Sequence, residues 1–529
     1  MKPARSTRIF RRALRGLPIP KHGVGYEPGI RIPVPDGVEL LADRYFPDPG
    51  GAREFPTLLV RSPYGRGLPW AALFGMAFAE QGFHVVVQSS RGTAGSGGTA
   101  QPWRDDGPDG RATVAWLRSR SWFTGRLGLV GPSAMAYPAW ALAAEPPPEL
   151  KAMVMHLPLH NPYGFFYRNG VFALEDALIA ATAFDTQHRG PRAFLGATLR
   201  LARGMKRIVR AEQPVVEYER VLGRRIPVLA GAAAHPDPSD GYWQGTDLLG
   251  AADGLDVPTL IVSGWSDVAL EQALQQYGRL PAGRRSLLVG PWTHTSALRQ
   301  GFGTVFGESV AWLRGHLADP TPPKGRVQVT VGPKDGWREL PAWPPAAVPV
   351  SWYPQADGTL ARNAPGGDEA VGTVRHDPAH PTPSVGGAGL GRTAGTHDDQ
   401  ATERRPEVLV RTSAPLPEAI EVIGPVAAEL LARIPDLDGA ATVFVRLCDV
   451  DERGRSRNVC DGIARIDARS ANPAPSALTI TMSSTAHRFL PGHRIRIRIS
   501  AGAHPRFAAG RRAYEIEVRS GSAVVLPVV

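Results

Sequence analysis

Between residues 29 and 160, short β-rich runs alternate with helix-like stretches, and this rhythm restricts the fold more than any other feature of the chain. The runs at 38–45, 55–61, 83–89, 126–131 and 150–156 end at Pro, Gly or polar residues. Helical patterns lie at 108–119 and 133–144. Strands that alternate with helices cross over and pair in parallel, which predicts a sheet covered on both faces. The apolar core of Phe83-His84-Val85-Val86-Val87 suits a central strand of such a sheet. The rhythm breaks between 161 and 245, where helix-like stretches such as 172–183 and 193–210 stand without a strand of quality. It resumes at Val257–Val262 and Ser286–Val289, and a closing helix over 303–317 puts Phe306, Val310, Leu313 and Leu317 on one face. The expectation is one α/β domain formed by 26–160 and 246–318, with a helical cap inserted at 161–245.

At 529 residues the chain exceeds what one core accommodates. The Pro-rich junction Asp319-Pro320-Thr321-Pro322-Pro323 marks a boundary. Beyond it, alternating runs such as Val327–Val331, Val408–Val410, Val443–Val445 and Ile495–Ile499 are separated by Gly- and Pro-rich loops, the longest near 361–405. An all-β sandwich over 325–529 follows. Its two cysteines, Cys448 and Cys460, lie symmetrically about Gly454 in a hairpin. A disulfide is geometrically open to them; two buried free thiols are the expectation in a reducing compartment.

Net charge is +11, and the first 21 residues hold seven Lys or Arg and no acid. This basic arm, 1–25, reads as a solvated terminus. Elsewhere the signs mix, and no basic stripe interleaves with stacking aromatics, so nucleic acid is excluded as the expected partner. No apolar run approaches the ~18 residues of a membrane span, and the N-terminus lacks the apolar region of a secretory signal. A cytoplasmic protein is the expectation. The loop of Gly92, Gly95, Gly97 and Gly98 has no phosphate-binding lysine. His376, His380 and His397 match no metal motif. No cofactor and no metal are expected, and the oligomeric state stays open.

The chemistry sits at strand ends. Leu127-Gly128-Leu129-Val130 runs into Gly131-Pro132-Ser133-Ala134-Met135-Ala136 and then an Ala-rich helix. A serine at such a corner exposes its hydroxyl above the sheet, and the helix N-terminus behind it offers N–H groups to an oxyanion. Alone this is weak, because Met135 breaks the usual Gly-x-Ser-x-Gly and a serine at that position also caps helices. Support comes from two later strands, which end in Ser263-Gly264-Trp265-Ser266-Asp267 and Gly290-Pro291-Trp292-Thr293-His294. The order Ser, Asp, His is that of an α/β-hydrolase triad, so Ser133, Asp267 and His294 are the expected nucleophile, acid and base. Tyr64, in Arg61-Ser62-Pro63-Tyr64-Gly65, follows an early strand from which these folds draw an oxyanion donor; on its own pattern it reads as a packing residue. Asp105, Asp106 and Asp109 read as a negatively charged helix start.

These segments, with Pro35–Leu40, Val87–Thr93, Arg411–Leu416, Cys460–Ile463 and Phe489–His493, resemble the cocaine esterase/NonD-type hydrolases with an X-Pro dipeptidyl-peptidase-like architecture. The resemblance spans nearly the whole chain. It implies an α/β-hydrolase domain, a helical cap and a C-terminal jelly roll, with the hydroxyl of Tyr64 and the amide of Ala134 as the oxyanion hole. Three features depart from the family pattern. Ala134 and Ala136 stand where its corner has Tyr and Gly, Ser89 where it has Asp, and Ala269 where an aromatic is common. Relatives that act on α-amino acid esters carry carboxylates just after the triad acid; Val268, Ala269 and Leu270 follow Asp267 here, which disfavours that specificity. The expected function is hydrolysis of a small carboxylic ester through an acyl-enzyme on Ser133. An X-Pro dipeptidyl-peptidase or amide hydrolase using the same triad, an acyltransferase, and a binding protein with a decayed serine corner are the alternatives.

Overall fold

The computed structural model describes residues 16–48, 54–101, 103–319, 321–332, 336–367, 369–435, 439–467 and 475–529. Most of the basic arm lies outside them. The first sheet has ten strands: β1 (Gly23–Pro33), β2 (Glu39–Asp48), β3 (Thr57–Ser62), β4 (His84–Ser89), β5 (Leu127–Pro132) and β6 (Leu150–His156), then, past a short ribbon of β7 (Tyr167–Arg168) and β8 (Val171–Phe172), β9 (Thr259–Ser266), β10 (Arg285–Thr293), β11 (Val327–Thr330) and β12 (Trp337–Leu340). Their order is β1-β2-β4-β3-β5-β6-β9-β10-β11-β12. From β4 to β11 every neighbouring pair is parallel. β3, β4 and β5 are buried along their whole length, as strands covered on both faces must be. Parallel pairing also carries the carboxyl ends of β3, β5, β9 and β10 to one edge, where the functional side chains gather.

The helix Asp106–Arg118 follows the sequence pattern, with Asp106 and Asp109 in its first turn and Arg118 in its last, each favourable to the helix dipole. The closing helix, Phe302–Leu317, buries Phe306, Val310, Leu313 and Leu317 against the sheet. The chain then returns beside β10 as β11, whose Val327 and Val329 complete the sheet's core. The run Val327–Val331, expected to open the all-β sandwich from 325, therefore lies mainly in the first sheet, and so does β12. The helix supplies the crossover that parallel pairing needs, and alternation along a short strand does not reveal which sheet it joins.

The cap is mainly helical, with helices Leu174–Thr186, Pro191–Arg210, Pro214–Leu222 and Pro227–Ala234. Its one departure from the helical expectation is the ribbon β7–β8. The C-terminal part is a β-sandwich: a larger sheet faces a four-stranded one (Leu409–Thr412, Arg494–Ser500, Ala440–Val450, Ser456–Asp467) across a core of Val, Ile and Leu. The expected long loop 361–405 contains a strand, Ala370–His376, paired with Tyr514–Arg519. Cys448 and Cys460 are free and buried. A bulge at Leu447/Cys448 shifts the hairpin register, so Cys448 faces Asn458 and Cys460 faces Leu447. No described helix is long and apolar enough to cross a membrane.

Cap, sheet and sandwich meet on the Asp267 side. Asn169 Nδ2 donates to the Ile463 carbonyl at 2.9 Å, the Leu390 amide to Asp176 at 2.7 Å, and the Ser484 amide to Glu271 at 2.6 Å. A cavity of about 560 Å³ remains between them, with Arg168, Asp176, Asp267, Glu271 and Arg506 in its wall.

Candidate active site

Ser133 sits on a sharp turn between a strand and a helix. β5 leaves Pro132 extended, Ser133 then takes φ 56°, and residues 133–135 wind a 3-10 turn into the helix Ala136–Ala143. A non-glycine residue in the left-handed region is held there only by its surroundings. Gly131 is part of that hold: a Cβ on it would stand 2.6 Å from Ala136 Cα and 3.0 Å from the Met135 carbonyl oxygen. Strand and helix meet at that point, and Ala136, standing where the family pattern has glycine, is fully buried there.

Asp267 follows β9. Its Oδ1 accepts from the Ala269 amide at 3.0 Å and from His294 Nδ1 at 2.7 Å, and its Oδ2 accepts from Ser263 Oγ at 2.7 Å. His294 Nε2 meets Ser133 Oγ at 2.8 Å, the hydroxyl donating to the nitrogen when Nδ1 carries the proton toward Asp267. Serine, histidine and aspartate thus form one continuous hydrogen-bonded chain. His294 opens a four-residue helix whose cap, Thr293, exchanges hydrogen bonds with Ser296. Behind it the Trp292 ring fills space left by Gly290 and Gly301, where a Cβ would come within 2.5 Å of the indole, and a Cβ on Gly264 would meet the Trp292 carbonyl oxygen at 2.3 Å. The glycines flanking both strand ends therefore let the His294 loop close onto the Asp267 loop.

Tyr64 arrives from the end of β3, its ring stacked on Trp70 (centroids 5.5 Å) and Phe184 (5.3 Å). Burial raises its pKa while a hydrogen bond with the Ser133 side chain lowers it, with a net rise that keeps the phenol protonated and able to donate. Ala134, one residue beyond the serine, is buried. All five residues singled out in the sequence come together at one sheet edge.

Beside Ala134 lies a cavity of about 290 Å³, walled by Trp103, Phe184, Pro138, Ile226 and Asp106. Trp103 has φ 72°, and its indole N–H has no hydrogen-bond partner among the described residues. Burial pushes the Asp106 carboxyl up, Arg61 pulls it down and Asp109 pushes it up again, to about 6 overall. Asp109 forms an ion pair with Arg91 at 2.6 Å. The three aspartates read as a helix start thus also reach the cavity. Ser263, Trp70, Phe184 and Trp103 were not singled out from sequence. Ser263 stands in the quoted Ser263–Asp267 run, where a hydroxyl four residues before an acid was the available signal; the aromatics come from segments that meet only on folding.

His376 Nε2 donates to the Gly510 carbonyl at 2.8 Å and His380 Nδ1 donates to Asp377 at 2.9 Å, each within the sandwich, and neither joins a metal-binding group among the described residues. Among the described residues the one cluster with metal-like spacing is Asp399, Glu403 and Cys448. Its carboxylates are taken by Arg446, Arg498 and Arg496, so guanidinium groups occupy the positions a cation would need.

Residues 36–296 match the family model of the X-Pro dipeptidyl-peptidases (S15 family), and residues 319–524 match the X-Pro dipeptidyl-peptidase C-terminal non-catalytic domain. Cocaine esterase of Rhodococcus sp. (strain MB1 Bresler) is 29% identical over 532 residues, covering 90% of this chain and 91% of that protein. An α-amino acid ester hydrolase superposes with a TM-score of 0.78 at 21% identity, covering 96% of this chain and 97% of the other. A CocE/NonD family hydrolase from Staphylococcus aureus superposes with a TM-score of 0.69 at 16% identity, covering 96% and 94%; these two likenesses show the fold. With two family models in order along one chain and a full-length esterase relative, the protein belongs to the X-Pro dipeptidyl-peptidase (S15) family and is a serine hydrolase of the cocaine esterase/NonD type.

Proposed function

We propose that the protein hydrolyses a small carboxylic ester through an acyl-enzyme on Ser133. The observation that carries this is the chain Ser133 Oγ–His294 Nε2 (2.8 Å) and His294 Nδ1–Asp267 Oδ1 (2.7 Å) at a left-handed serine corner. As Ser133 Oγ bonds to the substrate carbonyl carbon, its proton passes to His294 Nε2, and Asp267 stabilises the imidazolium. The carbonyl oxygen becomes an oxyanion, which receives hydrogen bonds from the Tyr64 hydroxyl and the Ala134 amide. The carbon–oxygen bond to the alcohol then breaks, and His294 returns the proton to the leaving oxygen. Water then attacks the acyl carbon as His294 takes its proton, the bond to Ser133 Oγ breaks, His294 returns that proton to Oγ, and the acid is released.

The esterase named among the relatives supports the ester over the amide. The apolar Val268 and Ala269 after the acid, both buried, supply no carboxylate for a substrate ammonium. A hydrogen-bonded triad also stands against a decayed site, and Ala134 keeps its backbone amide. The X-Pro dipeptidyl-peptidase description of the matching family model favours peptide cleavage as a second reading.

The test is hydrolysis of short and medium p-nitrophenyl esters, followed by mass spectrometry of the protein. A burst with an acyl adduct on Ser133, both absent in Ser133→Ala, supports the reading. Turnover of X-Pro amides in preference to esters moves the assignment to the peptidase, and silence toward both and toward a serine-directed phosphonate overturns it.

A further inference from the structure

The chain's positive charge is concentrated in two places. Residues 187–225 hold ten Lys or Arg against three Glu, and the first 21 residues hold seven against none. Together these account for more than the whole excess of +11, so the remainder of the molecule is slightly acidic. The first segment is described, and it centres on the cap helix Pro191–Arg210, which contains Arg192, Arg200, Arg203, Lys206, Arg207 and Arg210 and no acid.

The two faces of this helix differ. Ala197, Leu201 and Ile208 are buried, and Gly204 lets the helix Pro214–Leu222 approach so closely that a Cβ there would stand 2.8 Å from Val221. The spacing 192, 195, 199, 203, 206, 210 traces the opposite face. It reads Arg, Leu, Leu, Arg, Lys, Arg, all exposed, with Leu195 60% and Leu199 45% accessible. Arg207 pairs with Glu217. Arg192, Arg200, Arg203, Lys206 and Arg210 have no carboxylate partner among the described residues. A solvated surface helix gains from i,i+4 pairs of opposite sign and from polar residues on its outer face. This one has like charges and two leucines instead, an arrangement favoured where an anionic interface supplies both counter-charge and apolar contact.

We propose that this face of the cap docks on an anionic phospholipid surface, the five unpaired cations meeting the headgroups and Leu195 and Leu199 entering the boundary of the acyl region. The leucines are what favour lipid over nucleic acid, whose phosphates would use the cations alone. The docking helix begins one residue after Gly190 and two after Arg189, which lines the cavity beside Ala134, so the attached face belongs to the same cap that encloses the site. The inference rests on the cap surface and not on the reading of the triad.

The test is co-sedimentation of the full-length protein with vesicles of phosphatidylcholine alone and of phosphatidylcholine mixed with phosphatidylglycerol, at low and high salt. Binding is expected only with phosphatidylglycerol and is weakened by salt. Each basic residue near an anionic surface strengthens partitioning roughly fivefold, so Arg200→Gln with Arg203→Gln should weaken it about thirtyfold. Leu195→Ser with Leu199→Ser should weaken it about tenfold. Unchanged thermal melts establish that both variants are folded; every substituted residue is exposed. Failure to bind phosphatidylglycerol vesicles overturns the proposal, as does equal binding to both vesicle types. Binding that survives both helix variants also overturns it, by placing the contact elsewhere. Loss with the arginine pair but not the leucine pair, together with retention of single-stranded DNA, overturns it in favour of a purely electrostatic nucleic-acid contact.

Discussion

The serine corner and the interior of the β-sandwich both bury charged and polar side chains, and they use them in opposite ways. In the sandwich, Arg446 lies fully buried between Asp399 (3.0 Å) and Asp461 (2.8 Å), Arg498 also reaches Asp399 (3.0 Å), and Arg506 also reaches Asp461 (2.9 Å). Each carboxylate there is spent on fixed guanidinium groups. At the sheet edge, Asp267 is equally buried, yet its partners are a serine, an amide and a titratable imidazole, and the imidazole's far nitrogen faces a hydroxyl. Saturation by permanent cations yields a structural network; a chain that ends in a movable proton beside a cavity yields a reactive one.

The largest expected difference is between activity and stability. Ser133→Ala should lower ester hydrolysis by about 10⁴- to 10⁶-fold and Asp267→Asn by about 10⁴-fold, with denaturant midpoints close to wild type. Initial rates and chemical denaturation of the same samples check both. Asp461→Asn should do the reverse. It leaves Arg446 underpaired in the interior and Arg506 underpaired in the wall of the cavity that Asp267 also lines, and should cost about 3–5 kcal/mol of stability, while any protein that remains folded keeps its ester turnover. If it abolishes turnover in folded protein, the two regions are not separate in role.

A smaller effect tests the oxyanion side. Tyr64→Phe keeps the ring between Trp70 and Phe184 and removes one donor, so kcat should fall about 10²- to 10³-fold with KM little changed. A fall in KM-dependent binding alone would make Tyr64 a packing residue.

The smallest effect is a pair of opposite pH dependences. Burial pushes Asp461 up, but Arg506 and Arg446 outweigh it and hold it at about 2. Its pKa is therefore lower folded than unfolded, and its contribution, about 2 kcal/mol, is present above about pH 4 and lost as pH falls toward 2. Asp106, raised to about 6 chiefly by burial, has the opposite sign: the folded form is favoured below about pH 4, and that advantage is lost as pH rises through 6. Asp106→Asn should therefore raise stability at pH 8 by about 3 kcal/mol, less what the helix N-terminus loses with the charge. Unfolding curves of both proteins from pH 4 to 8 check this; parallel curves would show that Asp106 does not titrate in that window.

The residues made the hydrolase edge legible because each partner follows its own strand within a few positions: Ser133 after β5, Asp267 after β9, His294 after β10. Local pattern identifies a strand, and parallel topology then carries its carboxyl end to the common edge. Ser263 was less visible because a hydroxyl donating to a carboxylate looks like any strand serine. The sandwich network was invisible: Arg446 and Arg498 alternate with apolar residues as solvent-facing positions would, and only the covering segment of Ser384, Val385, Gly386 and Asp399 puts them indoors.

By itself the sequence determined the strand–helix alternation, the helical interruption, the order of Ser133, Asp267 and His294, and the segregation of charge. These depend on residue type and short spacing, which backbone periodicity converts directly into faces and ends. Tertiary structure decided which sheet Val327–Thr330 joins, how the hairpin bulge separates Cys448 from Cys460, and which aromatics wall the cavity beside Ala134. Those outcomes depend on contacts between segments far apart in the chain, whose pairing is set by the shape and burial of the whole assembly rather than by any window of residues.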